Sequence, residues 1–117
     1  IAFQILKGKK TQPCQTGFVE VSGRYCVSEF RQGPGNFQEN AMHCNTLNAR
    51  LCSWSEWYYA CETNTTIIDM DDSGLEWVDS GGTGDTNAKV AGNNSCKVHG
   101  YGNSKTFSAY YRCCYIK

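Results

Sequence analysis

The clearest periodicity in the chain lies in "RLCSWSEWYYAC", residues 50 to 61. Trp54, Trp57, Tyr58 and Cys61 recur at the i, i+3, i+4, i+7 spacing of one buried helical face. Ser53 and Glu56 stand where a capping box needs them, each side chain satisfying a free backbone N–H of the first turn. Cys52 lies just before the cap and Cys61 at the far end. About nine residues of helix put the two sulfurs roughly 13 Å apart at 1.5 Å rise per residue, too far for a mutual disulfide. Each needs a partner elsewhere.

Other stretches have a period of two. "GFVEVSGRYCV" alternates around Ser22-Gly23 and predicts a β-hairpin. "RQGPGN" is a turn cluster. A helix follows from about Asn36, with Phe37, Ala41, Cys44 and Leu47 or Asn48 near one face, and "NARLC" is a short strand entering the capped helix. From Glu62 to Asn103 the chain is rich in Gly, Asn, Asp, Ser and Thr, with short apolar pieces at Leu75 to Val78, Lys89 to Ala91 and Cys96 to His99. A loop-dominated region of that length inside one domain points to function. "FSAYYRCCYIK" reads as a closing strand, with Tyr111, Cys113 and Tyr115 on one face and Tyr110, Arg112, Cys114 and Ile116 on the other. The lysine-rich lead-in of residues 1–12 has room for a first strand over Ile1 to Thr11. The layout is α+β: two helices, a small twisted antiparallel sheet and a long loop region, in a single domain spanning residues 1–117.

Composition changes this picture in one respect. Eight cysteines in 117 residues approach the density of a disulfide scaffold, and the even number suits complete pairing. Thiols at this density would be reduced in a cytosol, which places the mature protein outside the cell or in a secretory or periplasmic space. The chain opens on Ile1 rather than Met, as expected if a signal peptide or upstream region has been removed. Net charge is zero with no basic tract, which argues against nucleic acid as a partner. No apolar run approaches membrane-spanning length.

Eight cysteines allow about a hundred connectivities, and the predicted layout favours few of them. Cys14 and Cys26 flank the hairpin and can close it. Side chains of Cys113 and Cys114 point to opposite faces of a strand, so they should bond to different elements. Cys44 on the first helix suits one of them and Cys52 the other, leaving Cys61 for Cys96.

"PCQTGFVEVSGRYCV", "AMHCNTLNARLC" and the cysteine-bearing last strand resemble a C-type-lectin-like domain of the long form. That resemblance implies a hairpin disulfide near the N-terminus and a link from the first helix to the last strand. "NARLCSWSEWYYAC", "LEWVDS" and "YYRCCY" are similar to the formylglycine-generating-enzyme-like branch of the superfamily, where a stretch like "ARLPTEAEWEYA" precedes a "WEW" segment and a closing "RC" strand. The chain also resembles, more loosely, the receptor-binding tips of phage tail fibres. The likeness covers most of residues 13 to 116. The EPN or QPD and WND tripeptides of calcium-dependent sugar binding are absent, "GNNSCKV" lying roughly where WND would fall. Adjacent Cys113-Cys114 does not reproduce the spaced cysteine pair that binds copper in formylglycine-generating enzymes.

Candidate ligand residues lie in the long region after Cys61. His99 and Tyr101, in the Gly-rich "KVHGYGN", sit near Asn93 and Asn94 in sequence. Aromatic faces that stack and amides that hydrogen-bond suit polar ligands such as sugars. Asp79, just past the expected core residue Trp77, is a further contact. Asp69, Asp71 and Asp72 in "DMDDSG" offer hard oxygens suited to calcium, although Ser80 stands where an EF-hand has its bidentate glutamate. No cofactor is otherwise called for. His43 on the first helix is read as a surface or partly packed residue. Two histidines, no HExxH, no P-loop and no serine elbow give catalysis little to work with. The expectation is a secreted, non-catalytic lectin-like module that binds a glycan or glycoprotein and gains avidity as a homo-oligomer. The alternatives are a structural or receptor-binding tip domain of an extracellular assembly, and a formylglycine-generating-type oxidase.

Overall fold

The computed structural model describes residues 13–63, 74–80 and 86–117. The lead-in strand and the Asp69, Asp71 and Asp72 cation site expected from the sequence lie outside these residues. The described chain forms β1 (Phe18–Val21), β2 (Tyr25–Ser28), β3 (Gln32–Gly35), α1 (Phe37–Thr46), β4 (Arg50–Leu51), α2 (Trp54–Thr63), β5 (Leu75–Val78), β6 (Asn87–Gly92), β7 (His99–Asn103), β8 (Ala109–Tyr111) and β9 (Cys113–Ile116). Two sheets result. One is antiparallel with the order β1-β2-β9-β4; the other, β3-β8-β5-β6-β7, is antiparallel except for the β5–β8 pair.

Local chemistry explains most of these elements. The β1–β2 hairpin turns through Ser22 and Gly23, both at positive φ, as hairpin turns of the right twist require. Both helices carry a capping box. Ser53 Oγ accepts from Glu56 N at 3.1 Å while Glu56 Oε1 accepts from Ser53 N at 2.9 Å, and Asn36 with Glu39 does the same at the start of α1. The face of α2 is as its spacing predicts: Trp57 and Ala60 are fully buried, and Trp54, Tyr58 and Cys61 pack against them.

Three expectations are corrected. Two sheets, one of them with the parallel β5–β8 pair, stand in place of the single small antiparallel sheet. "RQGPGN" is not a free turn cluster, since Gln32–Gly35 forms β3 at the edge of the second sheet. An edge position tolerates Pro34, whose missing N–H costs no ladder bond. The pairing is irregular, with a register shift between Gln32 and Gly35, and Gly35 O is fixed by Trp77 Nε1 at 2.9 Å and Asn40 Nδ2 at 3.2 Å. The closing segment is also not one strand. It breaks at Arg112 into β8 and β9, which belong to different sheets. The alternation of its side chains survives the break: Tyr111, Cys113 and Tyr115 join one core, and Cys114 the other.

The break is held by buried polar groups. Arg112 is fully buried; its Nε donates to Glu76 Oε1 at 3.0 Å and its Nη1 to the carbonyls of Ser28 and Glu29, each at 2.9 Å. Glu76, equally buried, also accepts from Trp57 Nε1 at 2.9 Å. Its second oxygen has no hydrogen-bond partner among the described residues. Burial pushes the Glu76 carboxyl above its ordinary range, with the Arg112 charge opposing.

Four disulfides complete the frame: Cys14–Cys26, Cys44–Cys113, Cys52–Cys114 and Cys61–Cys96. They follow the pairing that the sequence layout favoured. The strand β5 divides the core. Trp77 faces the cluster containing Cys44 of α1, and Val78 faces the cluster containing Trp57 of α2, so the helices pack on opposite faces of the second sheet.

Removing one member of a buried pair leaves the other charge uncompensated, at a cost of about 3–5 kcal/mol. Arg112→Met should therefore lower unfolding free energy by about that amount in urea titrations. Adding Glu76→Leu to the same chain should recover part of the loss. A loss in the double variant equal to the sum of the two single losses would show that the pair carries no coupling.

Candidate functional site

The register of the second sheet gathers side chains that are scattered in sequence. Val78 pairs with Lys89, Lys89 with Tyr101, and Ala91 with His99. Cross-strand partners share a face, so Lys89, His99 and Tyr101 project from the face that α2 covers. The first residue of that helix, Trp54, completes a cluster with them.

The start of α2 is tightly fixed. Asp79 N donates to Cys52 O at 2.9 Å, and Trp54 N donates to Asp79 O at 3.2 Å, so the end of β5 is clipped to the helix entry. Arg50 grips Glu56 through two 2.7 Å contacts, an arrangement with both geometric and energetic weight. Burial opposes ionisation of Glu56, but Arg50 and Ser53 outweigh it and hold the carboxyl below its ordinary 4.5. The Trp54 ring stacks on Trp57 with centroids 5.9 Å apart and lies 5.3 Å from both Tyr58 and His99.

Lys89 is the centre of the cluster. It is 6% exposed, its Nζ sits 5.0 Å from the Trp54 ring centroid and 4.9 Å from that of Tyr101, and His99 Nδ1 is 3.0 Å away. Contacts of this kind attract a cation to the ring face. An ammonium can only donate, so His99 Nδ1 accepts and the ring carries its proton on Nε2. Tyr101 is 53% exposed and His99 is also exposed. The result is a half-open aromatic surface with a lysine ammonium set into it.

Of the five ligand contacts expected from the sequence, His99 and Tyr101 meet in this cluster. Asp79 adjoins it through its backbone contact with Trp54. Asn93 and Asn94 do not share it: they occupy left-handed positions, φ 67° and 75°, in the turn after β6, and Asn93 Oδ1 is turned toward Gly74 N at 3.4 Å. Left-handed backbone favours Asn for conformational reasons, which accounts for their presence without a ligand. Lys89 and Trp54 were not among the expected contacts. The signal for them was the alternation of "NAKVAG", which sets Lys89 and Ala91 apart from Ala88 and Val90, combined with the i, i+2 pair His99 and Tyr101.

Two other features lie apart from this cluster. A shallow depression of about 540 Å³ is lined by Ser22, Arg24, Tyr25 and Tyr59. Its tyrosines are engaged: Tyr59 OH lies 2.9 Å from Ser22 Oγ, and Tyr25 OH donates to Glu56 O at 2.8 Å, while burial and the neighbouring Glu56 push the Tyr25 phenol up to about 12. His43 is exposed and its Nδ1 contacts Tyr111 OH, in keeping with a surface residue. Among the described residues no group of three His, Cys, Asp or Glu side chains is placed to hold a metal ion, and no helix is long and apolar enough to cross a membrane. Neither a scan against protein-family models nor a search of curated proteins finds a match to the chain.

Because the folded Glu56 carboxyl is held below its unfolded value, its stabilising contribution is present above about pH 4.5 and fades as pH falls through the lower folded value. Urea midpoints of the native chain and Glu56→Gln should accordingly differ at pH 6 and converge toward pH 3. A difference that stays constant over this range would mean that the charge of Glu56 does not fix the entry to α2.

Proposed function

We propose that this chain is a secreted, non-catalytic carbohydrate-binding module on a C-type-lectin-like scaffold, and that its ligand contacts centre on Trp54, Lys89, His99 and Tyr101. The α+β arrangement supports the scaffold reading, with Cys14–Cys26 closing the first hairpin and Cys44–Cys113 joining the first helix to the last strand. Those are the two links that the lectin resemblance implies. Four disulfides also suit an oxidising extracellular setting. With every cysteine bonded, no thiol is available as a nucleophile.

The observation that carries the reading is the half-exposed Tyr101 ring beside His99 and Lys89 on a rigid support. A tyrosine ring offers an apolar face for the C–H side of a sugar and a hydroxyl for its polar edge. Lys89 and His99 supply directional donors next to it. The support is already ordered by the capping box, the Asp79 clip and the disulfide to Cys61, so little conformational freedom is lost on binding. Single protein–sugar contacts of this size are weak, and useful avidity comes from several copies presented together.

On a glycan array probed with a multivalent form of the protein, Tyr101→Ala should reduce binding about tenfold, the loss of one stacking contact. Asn94→Ala should leave it unchanged, provided that both variants keep the thermal stability of the parent. Undiminished binding by Tyr101→Ala would move the site away from β7. Binding to no glycan at all would remove the carbohydrate reading.

A further inference from the structure

We infer that the sugar bound by this cluster is acidic, and that its carboxylate or sulfate is held between Lys89 and His99. The inference rests on the carbohydrate-binding reading above and narrows it to a ligand class. Its basis is an imbalance of charge and of hydrogen-bonding capacity within the cluster.

Lys89 is almost wholly buried, yet among the described residues no carboxylate pairs with it. The nearby acids are committed elsewhere. Glu56 is gripped by Arg50 and Glu76 by Arg112. Asp79 meets the cluster through its backbone carbonyl, and its charge acts on Arg50. A buried cation with no counter-ion is costly unless something offsets it. The faces of Trp54 and Tyr101 do so in part. A ligand anion would supply the charge that the protein omits.

Donors and acceptors tell the same way. Lys89 can only donate, and with its Nδ1 accepting from Lys89, His99 can only donate through Nε2. Sites that select neutral sugars need acceptors for hydroxyl protons as well as donors. Here the two polar groups beside the Tyr101 ring are donors, and the complementary substituent is rich in acceptors. Carboxylate and sulfate fit that description, and hydrogen bonds between ionised partners are roughly twice as strong as neutral ones. Tyr101 is half in solvent and His99 is exposed, so an anion would approach Lys89 from their side of the cluster.

The test is a glycan array carrying matched sets in which one sugar is presented neutral, as its uronic acid and as its sulfate ester. The native chain should bind at least one charged form about tenfold more tightly than the neutral one, and the preference should shrink as sodium chloride is raised. Lys89→Met, which keeps the stem in place, should abolish the preference; Lys89→Arg should keep it. The Lys89→Arg protein controls for a fold that fails without a cation at this position. Equal binding of neutral and charged forms would overturn the inference while leaving the carbohydrate reading intact. A preference that persists in Lys89→Met would overturn it as well. No binding to any member of any set would remove both. Uronic-acid and sulfate members of a set separate the two anion sources.

Discussion

Adjacent residues of a strand face opposite ways, and at Cys113-Cys114 that constraint organises the whole molecule. Cys113 reaches α1 through Cys44, and Cys114 reaches the entry of α2 through Cys52. One dipeptide thereby fixes both helices, one on each side of the second sheet. Immediately before it, Arg112 is the point at which the chain passes from one sheet to the other. Its side chain spans Glu76 of β5 and the carbonyls at the end of β2. Without the arginine the Glu76 carboxylate would keep the Trp57 Nε1 donor but lose its counter-charge, and the two carbonyls would lose their Arg112 donor, which costs more than the pairing itself gains. The tripeptide Arg112-Cys113-Cys114 is where the two sheets and both helices are tied together.

The candidate site inherits its rigidity from that junction. Cys52 precedes the Ser53 cap, and Ser53 precedes Trp54, so the disulfide to Cys114 positions the ring that closes over Lys89. At the other end of α2, Cys61–Cys96 anchors the loop that leads into β7, where His99 and Tyr101 lie. Both walls of the cluster are thus attached to the same helix. A surface held in this way can afford a strained electrostatic arrangement such as a buried lysine facing rings instead of a carboxylate.

Periodicity and cysteine logic made much of this legible in the sequence. The α2 face and its capping box, the Ser22-Gly23 hairpin, the short strand before Cys52 and the disulfide layout follow from local rules that tertiary context reinforced. The α1 capping box was equally available, since Asn36 and Glu39 stand at the required spacing. What escaped was non-local. Glu76 and Lys89 are buried polar residues inside strands, and a rule that sends polar residues outward misplaces them until their partners across the sheet are known. The break at Arg112 was hidden because the alternation of side chains continues through it. β3 was hidden because Pro and Gly usually signal turns, and only its edge position reconciles them with a strand. His99 and Tyr101 were found from their chemistry, whereas Asn93 and Asn94 hold left-handed positions in the turn after β6, which gives them a conformational reason to be there.

The surface formed by Trp54, Lys89, His99 and Tyr101 is the proposed ligand contact. The most direct measurement is a backbone amide chemical-shift map of the native chain titrated with a pool of oligosaccharides released from glycoproteins. Shifts concentrated at Trp54, Lys89 and residues 99–101, saturating together, are the predicted result. Shifts confined to Ser22, Arg24, Tyr25 and Tyr59, or none at saturating sugar, would contradict it.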